Sequence, residues 1–174
     1  NQKETSIQSI VSQAKPFGLR TFYKGYKKSI KHNIKIYVNN SIAYTSLDEI
    51  NVNKNFINEH KVLVPYAVGI GNPKYDRINP IYAEPGSCCS ETYLVIGPFK
   101  NKKECMNCIS YIKTKFFHFL ISLKKISQHT TRKVYQFVPL QSFNSELSDK
   151  YLFNKYKLTN KEISIIEKMV WNNK

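Results

Sequence analysis

Acidic residues are scarce in this chain. Only 12 Asp and Glu stand against 27 Lys and Arg in 174 residues, a formal net charge of +15. That exceeds what solubility requires, so a polyanionic partner is the first expectation, with nucleic acid and membrane surface as the two classes. Long apolar runs are also missing: none approaches the ~20 residues of a spanning helix. No amino-terminal stretch has the charged, apolar, small-residue order of a secretory leader. A cytoplasmic protein without a membrane partner is expected. There is no nucleophile elbow, Walker loop, paired-histidine zinc motif or internal repeat.

Cysteine is limited to Cys88, Cys89, Cys105 and Cys108. Cys105 and Cys108 have the spacing of half a zinc site, but such a pair normally sits in a tight turn, whereas this one lies inside a helical stripe. Adjacent Cys88 and Cys89 cannot easily aim both thiolates at one ion. Buried free thiols and no metal site are expected. The 12 Tyr and 10 Phe, set among polar and basic neighbours, suit a surface that contacts bases or sugars, although most aromatics in a domain of this size are core. The length fits one domain, or one domain with a small appendage.

The chain is organised around Glu91 to Leu140. Thr92 to Ile96 reads as a buried strand stopped by Gly97-Pro98, and a long amphipathic helix is expected from about Lys102 to about Ile126. Cys105, Cys108, Ile109, Ile112, Phe116, Phe119, Leu120 and Leu123 lay one apolar stripe along it, while Lys103, Lys113, Lys115, Lys124 and Lys125 mostly fall off the stripe. A polar, basic loop from Ser127 to Lys133 follows. A second strand, Val134 to Val138, is closed by Pro139.

Residues 1–15 suggest a short helix with Ile7, Ile10 and Val11 on one side, and Asn1 as first residue points to a fragment of a larger protein. Lys24, Lys27, Lys28 and Lys31 mark a basic segment that is either a solvated loop or a phosphate contact. Ile34 to Val38, Asn39-Asn40 and Ile42 to Tyr44 form a β-hairpin pattern. Ser46 to Ile50 suggests a helical turn. Lys61 to Val68 is either an edge strand or a strand that ends at Pro65. Gly69 to Gly86 reads as an extended loop with Lys74, Tyr75 and Arg77 near its tip. A short helix is expected within Ser145 to Tyr156, and Thr159 to Glu162 resembles a capping box opening a last helix to Val170.

Three constellations approach catalytic patterns. Asn72-Pro73-Lys74-Tyr75 resembles the Asn-Pro-Pro-Tyr tetrapeptide of amino-methyltransferases, but it lacks the second proline. The sequence before it also offers no strand, Gly-rich loop and helix for S-adenosylmethionine. Asp48 with Glu59-His60-Lys61 follows the residue order of metal-dependent nucleases, except that the apolar strand follows the glutamate instead of preceding it. His118 lies beside the apolar stripe and reads as a core-edge histidine, whereas His129 sits in the basic loop. No catalytic residue is assigned.

Several separated blocks carry a resemblance: Lys61 to Pro65, Glu84 to Phe99, Ser110 to Leu120, Val134 to Pro139, and Leu147 to Val170 with Tyr156-Lys157-Leu158-Thr159. In this order they resemble the carboxy-terminal specificity region of bacterial type II restriction-modification DNA adenine methyltransferases, from about Pro16 to the end. The resemblance implies a target recognition domain over 16–140 that grips double-stranded DNA. Residues 1–15 would come from a missing upstream domain, and 141–174 would form a helical tail. It also implies S-adenosylmethionine only in the missing methyltransferase domain, and some family members cleave DNA as well. The alternatives are a stand-alone basic RNA-binding domain and a nuclease using Asp48 and Glu59.

The expected fold is α+β, a mixed or antiparallel sheet with the long helix packed on it and small carboxy-terminal helices. Phosphate contacts are expected from Lys24, Lys27, Lys28, Lys74, Lys113, Lys115, Lys124, Lys125 and Lys133. Base-edge candidates are Tyr75, Arg77, Gln128, His129, Thr130 and Arg132, while Thr131 and Tyr135 carry hydroxyls suited to phosphate oxygens.

Overall fold

The computed structural model describes residues 4–171 and has the expected α+β class, with its strands divided between two three-stranded sheets. In the first sheet β1 (Ile34–Val38) pairs antiparallel with β2 (Ser41–Thr45) through the Asn39-Asn40 turn, as the hairpin pattern predicts. Its third strand, parallel to β1, is the short Ser87–Cys89 segment. In the second sheet β3 (His60–Pro65) lies between β4 (Ile81–Ala83) and a longer strand, Tyr93–Phe99, all antiparallel. In chain order Ser87–Cys89 is β5 and Tyr93–Phe99 is β6.

The second sheet is the middle layer. Val62, Val64, Leu94 and Ile96 belong to the core shared with the helices, while Leu63, Ala83, Tyr93 and Val95 join Phe17 and Ile36, Val38 and Cys88 of the first sheet. A strand covered on both faces has no need of polar alternation, which explains the unbroken Val62-Leu63-Val64 run. Pro65, which lacks an N–H, ends β3, and β3 is central, not an edge. Gly97-Pro98 does not stop β6. The strand continues to Phe99 through a bulge in which Gly97 and Pro98 stand opposite Lys61.

The long helix is in fact two helices: α1 spans Lys102–Ile112 and α2 spans Lys115–Ser122. Thr114 makes the break. Its backbone is extended, and its hydroxyl donates to Tyr111 O at 2.7 Å and accepts from Phe117 N at 3.1 Å, which caps the second helix. The Asp149 carboxylate takes the next two orphan donors, Lys115 N at 3.0 Å and Phe116 N at 2.8 Å. The break re-aims the apolar stripe. Phe117, His118 and Ile121 turn inward, Phe119 and Leu120 are half-buried, and Leu123 is exposed.

Val134 to Val138 is also not a strand. A 3-10 helix runs over Arg132–Phe137 and buries Val134 and Tyr135, with Val138 buried just past its end and Tyr135 set edge-on to Phe117. The β6 edge is taken instead by the amino-terminal segment, where Ser12 N donates to Val95 O at 2.8 Å and Val95 N donates to Ser12 Oγ at 2.9 Å. Of the helix suggested over residues 1–15, Ile7–Ile10 is a 3-10 helix with Ile7 fully buried, and residues 1–3 lie outside the described residues. The helical turn at Leu47–Glu49 forms, as do α3 (Asp149–Lys155) and α4 (Asn160–Met169), the last opened by the reciprocal Thr159–Glu162 capping box.

The four cysteines are buried free thiols, held up by desolvation; Cys88 and Cys105 each rise to about 12. Lys61 is fully buried in β3, and its ammonium donates to the carbonyls of Ile57, Glu59 and Glu84 at 3.1, 2.8 and 3.4 Å. Burial pulls its pKa down to about 8.

Thr114→Ala removes the α2 cap and leaves Phe117 N without its partner. It is expected to cost ~1–2 kcal/mol, read as a lowered urea midpoint at unchanged m-value.

Candidate nucleic-acid interface

Beyond Pro65 the chain leaves the sheet and is zipped to the basic loop. Thr130 N donates to Tyr66 O at 2.7 Å and Val68 N donates to Gln128 O at 2.7 Å, so Ala67 and His129 form an antiparallel bridge. Two loops that are about sixty positions apart in sequence thus become one ribbon (66–68 against 128–130). Thr130 is fully buried, and its hydroxyl donates to the carbonyls of Pro65 and Tyr66, so it is the rivet of this ribbon and not a base-reading group.

The Gly69–Asp76 loop is shaped by one carboxylate. Asp76 accepts from Ile70 N and Gly71 N, both at 2.9 Å, and from the Lys125 ammonium. Lys125 also donates to Val68 O at 2.8 Å. Both side chains are buried, which removes Lys125 from the phosphate-contacting set. Gly69 has a φ of +57°, and a Cβ there would fall 1.7 Å from Asp76 Oδ1, so only glycine fits. Asn72 turns inward on its own loop, with Oδ1 accepting from Lys74 N at 3.0 Å. The side-chain oxygen that the methyltransferase tetrapeptide would need is therefore occupied locally.

His118 supports the loop from below. Its Nε2 accepts from Ile78 N at 3.0 Å and its Nδ1 faces Thr114 O at 3.0 Å, an arrangement that fits the neutral imidazole. Burial lowers its pKa to about 4. Trp171 stands edge-on to this ring at 4.1 Å, and the Arg77 guanidinium lies 5.2 Å from the centre of the Trp171 ring. Arg77 is exposed but leans on Trp171, just past the end of the last helix. Lys74 and Tyr75 stand at the loop tip, with Tyr75 65% exposed.

Next to the ribbon is a cleft of about 460 Å3, lined by Asn39, Asn40, Tyr66, Glu91, Thr92 and His129 among others. The rings of Tyr66 and His129 sit 5.3 Å apart, tilted by 39°. Burial pushes the Glu91 carboxyl up, but hydrogen bonds from the Thr21 N–H and hydroxyl and the charges of Arg20 and Lys15 outweigh it, so the group lies below the usual carboxylate range. Exposed Asn39 and Asn40, which the sequence marks only as a turn, are thus placed across a cleft from exposed His129.

Lys74, Tyr75, Gln128 and His129 are all exposed on the two loops that the Ala67–His129 bridge joins. Lys124 and Lys133 are exposed beside them, Lys124 with its ammonium 5.3 Å over the Phe137 ring. Other candidates are placed elsewhere. Arg132 is half-buried and fastens the amino-terminal segment, its Nε donating to Gln8 O at 3.0 Å. Tyr135 is wholly buried, so its hydroxyl cannot reach a phosphate. Lys113 and Lys115 flank the α1–α2 break, at the far end of α2 from Lys124. Lys24, Lys27 and Lys28 lie on an exposed loop bonded to β2 through Tyr26 and Tyr44, with Lys28 over the Tyr44 ring.

The nuclease-like set does not assemble. Asp48 is exposed on the Leu47–Glu49 turn, and Lys61 is turned inward to carbonyls. Among the described residues no three His, Cys, Asp or Glu side chains converge to hold a metal ion, and no helix is long and apolar enough to cross a membrane. The chain matches no protein-family model, and no curated protein sequence matches it significantly.

Asp76→Ala strands the Lys125 ammonium in a buried site and releases two backbone donors. A loss of ~3–5 kcal/mol is expected by denaturant unfolding. The folded state holds His118 neutral between about 4 and its ordinary 6.5, where the unfolded chain binds a proton. Its stabilising contribution is therefore complete above 6.5 and declines as pH falls through that window, by on the order of 3 kcal/mol. Denaturant midpoints measured across the window should show this slope, and His118→Gln should flatten it.

Proposed function

We propose that this chain is a double-stranded DNA recognition domain that orients an adenine-N6 methyltransferase of a restriction-modification system on its target. The observation that carries the reading is the joining of two loops into one exposed surface. It presents Gln128 and His129 on the ribbon beside a polar cleft, with Lys74 and Tyr75 exposed on the loop that leaves one strand and Lys124 and Lys133 exposed before and after the other. Neither 66–75 nor 119–133 contains an Asp or Glu. Such a surface attracts phosphates through its lysines and offers amide and imidazole groups to base edges.

The division of labour within the chain supports the same reading. The blocks that resemble adenine-methyltransferase specificity regions fall on β3, β5, β6, the α1–α2 pair and the 3-10 helix of Arg132–Phe137, which are core elements. The loops between them carry the exposed polar groups, and recognition of different targets on one scaffold requires that arrangement. In this reading S-adenosylmethionine and methyl transfer belong to a methyltransferase domain of the same protein. Asn39 and Asn40 join Gln128 and His129 as base-edge candidates, because both ring nitrogens of imidazole and the carboxamide present paired donor and acceptor groups.

The test is retention of a random-sequence duplex pool by the chain at two salt concentrations, followed by sequencing of the retained fraction. Salt-sensitive retention with enrichment of one short word containing an adenine is expected. Absence of retention at low salt would overturn the reading. Lys74→Ala with Lys124→Ala should weaken binding to all duplexes and reduce the salt slope by about one per lost phosphate contact. His129→Ala should instead lower discrimination at one base pair by ~1–3 kcal/mol.

A further inference from the structure

Two isoleucines on the zipped loops stand in water. Ile70 is 78% exposed and Ile126 97% exposed. Neither is on a segment free to fold it away. The Ile70 N–H is bonded to Asp76, and Ile126 follows Lys125, whose buried side chain runs into the seam between the loops. The loops touch at this level, where a Cβ on Gly71 would meet the Ser127 backbone at 3.3 Å. The two residues therefore flank one seam, and the contacts that fix the seam also hold them outward.

Their surroundings define the partner. Lys74, Lys124 and Lys133 are exposed on the same two loop segments, Leu123 is 52% exposed, and Phe137 is 48% exposed with the Lys124 ammonium over its ring. An apolar ridge on two lysine-bearing loop segments, 66–75 and 119–133, that contain no Asp or Glu fits a ligand that is anionic along its rails and apolar between them. Duplex DNA has that chemistry, with phosphates outside and stacked base faces within.

We propose that Ile70 and Ile126 form an apolar wedge that enters a base step of the bound duplex and kinks it, while Lys74 and Lys124 hold phosphates on either side. This rests on the DNA-recognition reading and adds to it a deformation of the target. A wedge must not recoil when it meets the stack, and the seam meets that requirement because its backbone is fixed before binding. Flexible pyrimidine–purine steps, which unstack most readily, are the expected points of entry.

The experiment uses the full chain and a short duplex labelled at both ends, read by energy transfer at saturating protein and low salt. A shortened end-to-end distance is expected, corresponding to a kink of about 20–90°. The Ile70→Ala, Ile126→Ala double variant should bind within about tenfold of the parent, since its lysines are intact, and leave the duplex straight. Because both side chains are exposed, its urea midpoint should match the parent. A duplex that stays straight under the parent protein, or that the double variant bends equally, overturns the wedge and leaves DNA recognition standing. Failure to bind any duplex overturns the recognition reading and the wedge together.

Discussion

The contact between Asp76 and Lys125 shapes the loops of the candidate surface. Burying both charges is costly, and such a pair persists only where other hydrogen bonds complete its shell. Here they do. The carboxylate also takes two backbone N–H groups and the ammonium takes a carbonyl, so three segments (68–71, 76 and 125) meet at one point. An apolar pair of similar volume could fill the space, but it could not orient the Ile70 and Gly71 amides. The directionality of the ionic group is what shapes the loop.

Much of the scaffold was legible from the residues. The β1–β2 hairpin followed from alternation and an Asn-Asn turn, and the α4 capping box followed from Thr159 and Glu162 three residues apart. What was misread had local patterns that tertiary packing overrode. The stripe from Cys105 to Leu123 is continuous on a helical wheel, yet Thr114 interrupts the helix because Asp149, far along the chain, supplies the donors' partners at the new start. Val134 to Val138 has strand composition, but the β6 edge it would need is already occupied by Val11 and Ser12.

The candidate surface was half legible. Composition identified lysines as a class, and exposure then separated them: Lys74 and Lys124 face solvent, while Lys125, next in sequence to Lys124, is buried. No local pattern distinguishes those neighbours, because the difference is made by Asp76, 49 positions away. Thr130 was lost to the interior for the same reason, its partners being carbonyls at the end of β3. Asn39 and Asn40 were visible as a turn, but their position across a cleft from His129 depends on how the two sheets stack.

The helix α2 is gripped at both ends by acids from elsewhere in the chain. Asp149, at the first turn of α3, holds its first amides, and Asp76 holds Lys125 just past its last turn. Eight residues of helix, ~12 Å long at 1.5 Å per residue, therefore join the carboxy-terminal tail to the exposed loops. The tail and the candidate surface are thus tied to the two ends of one short helix.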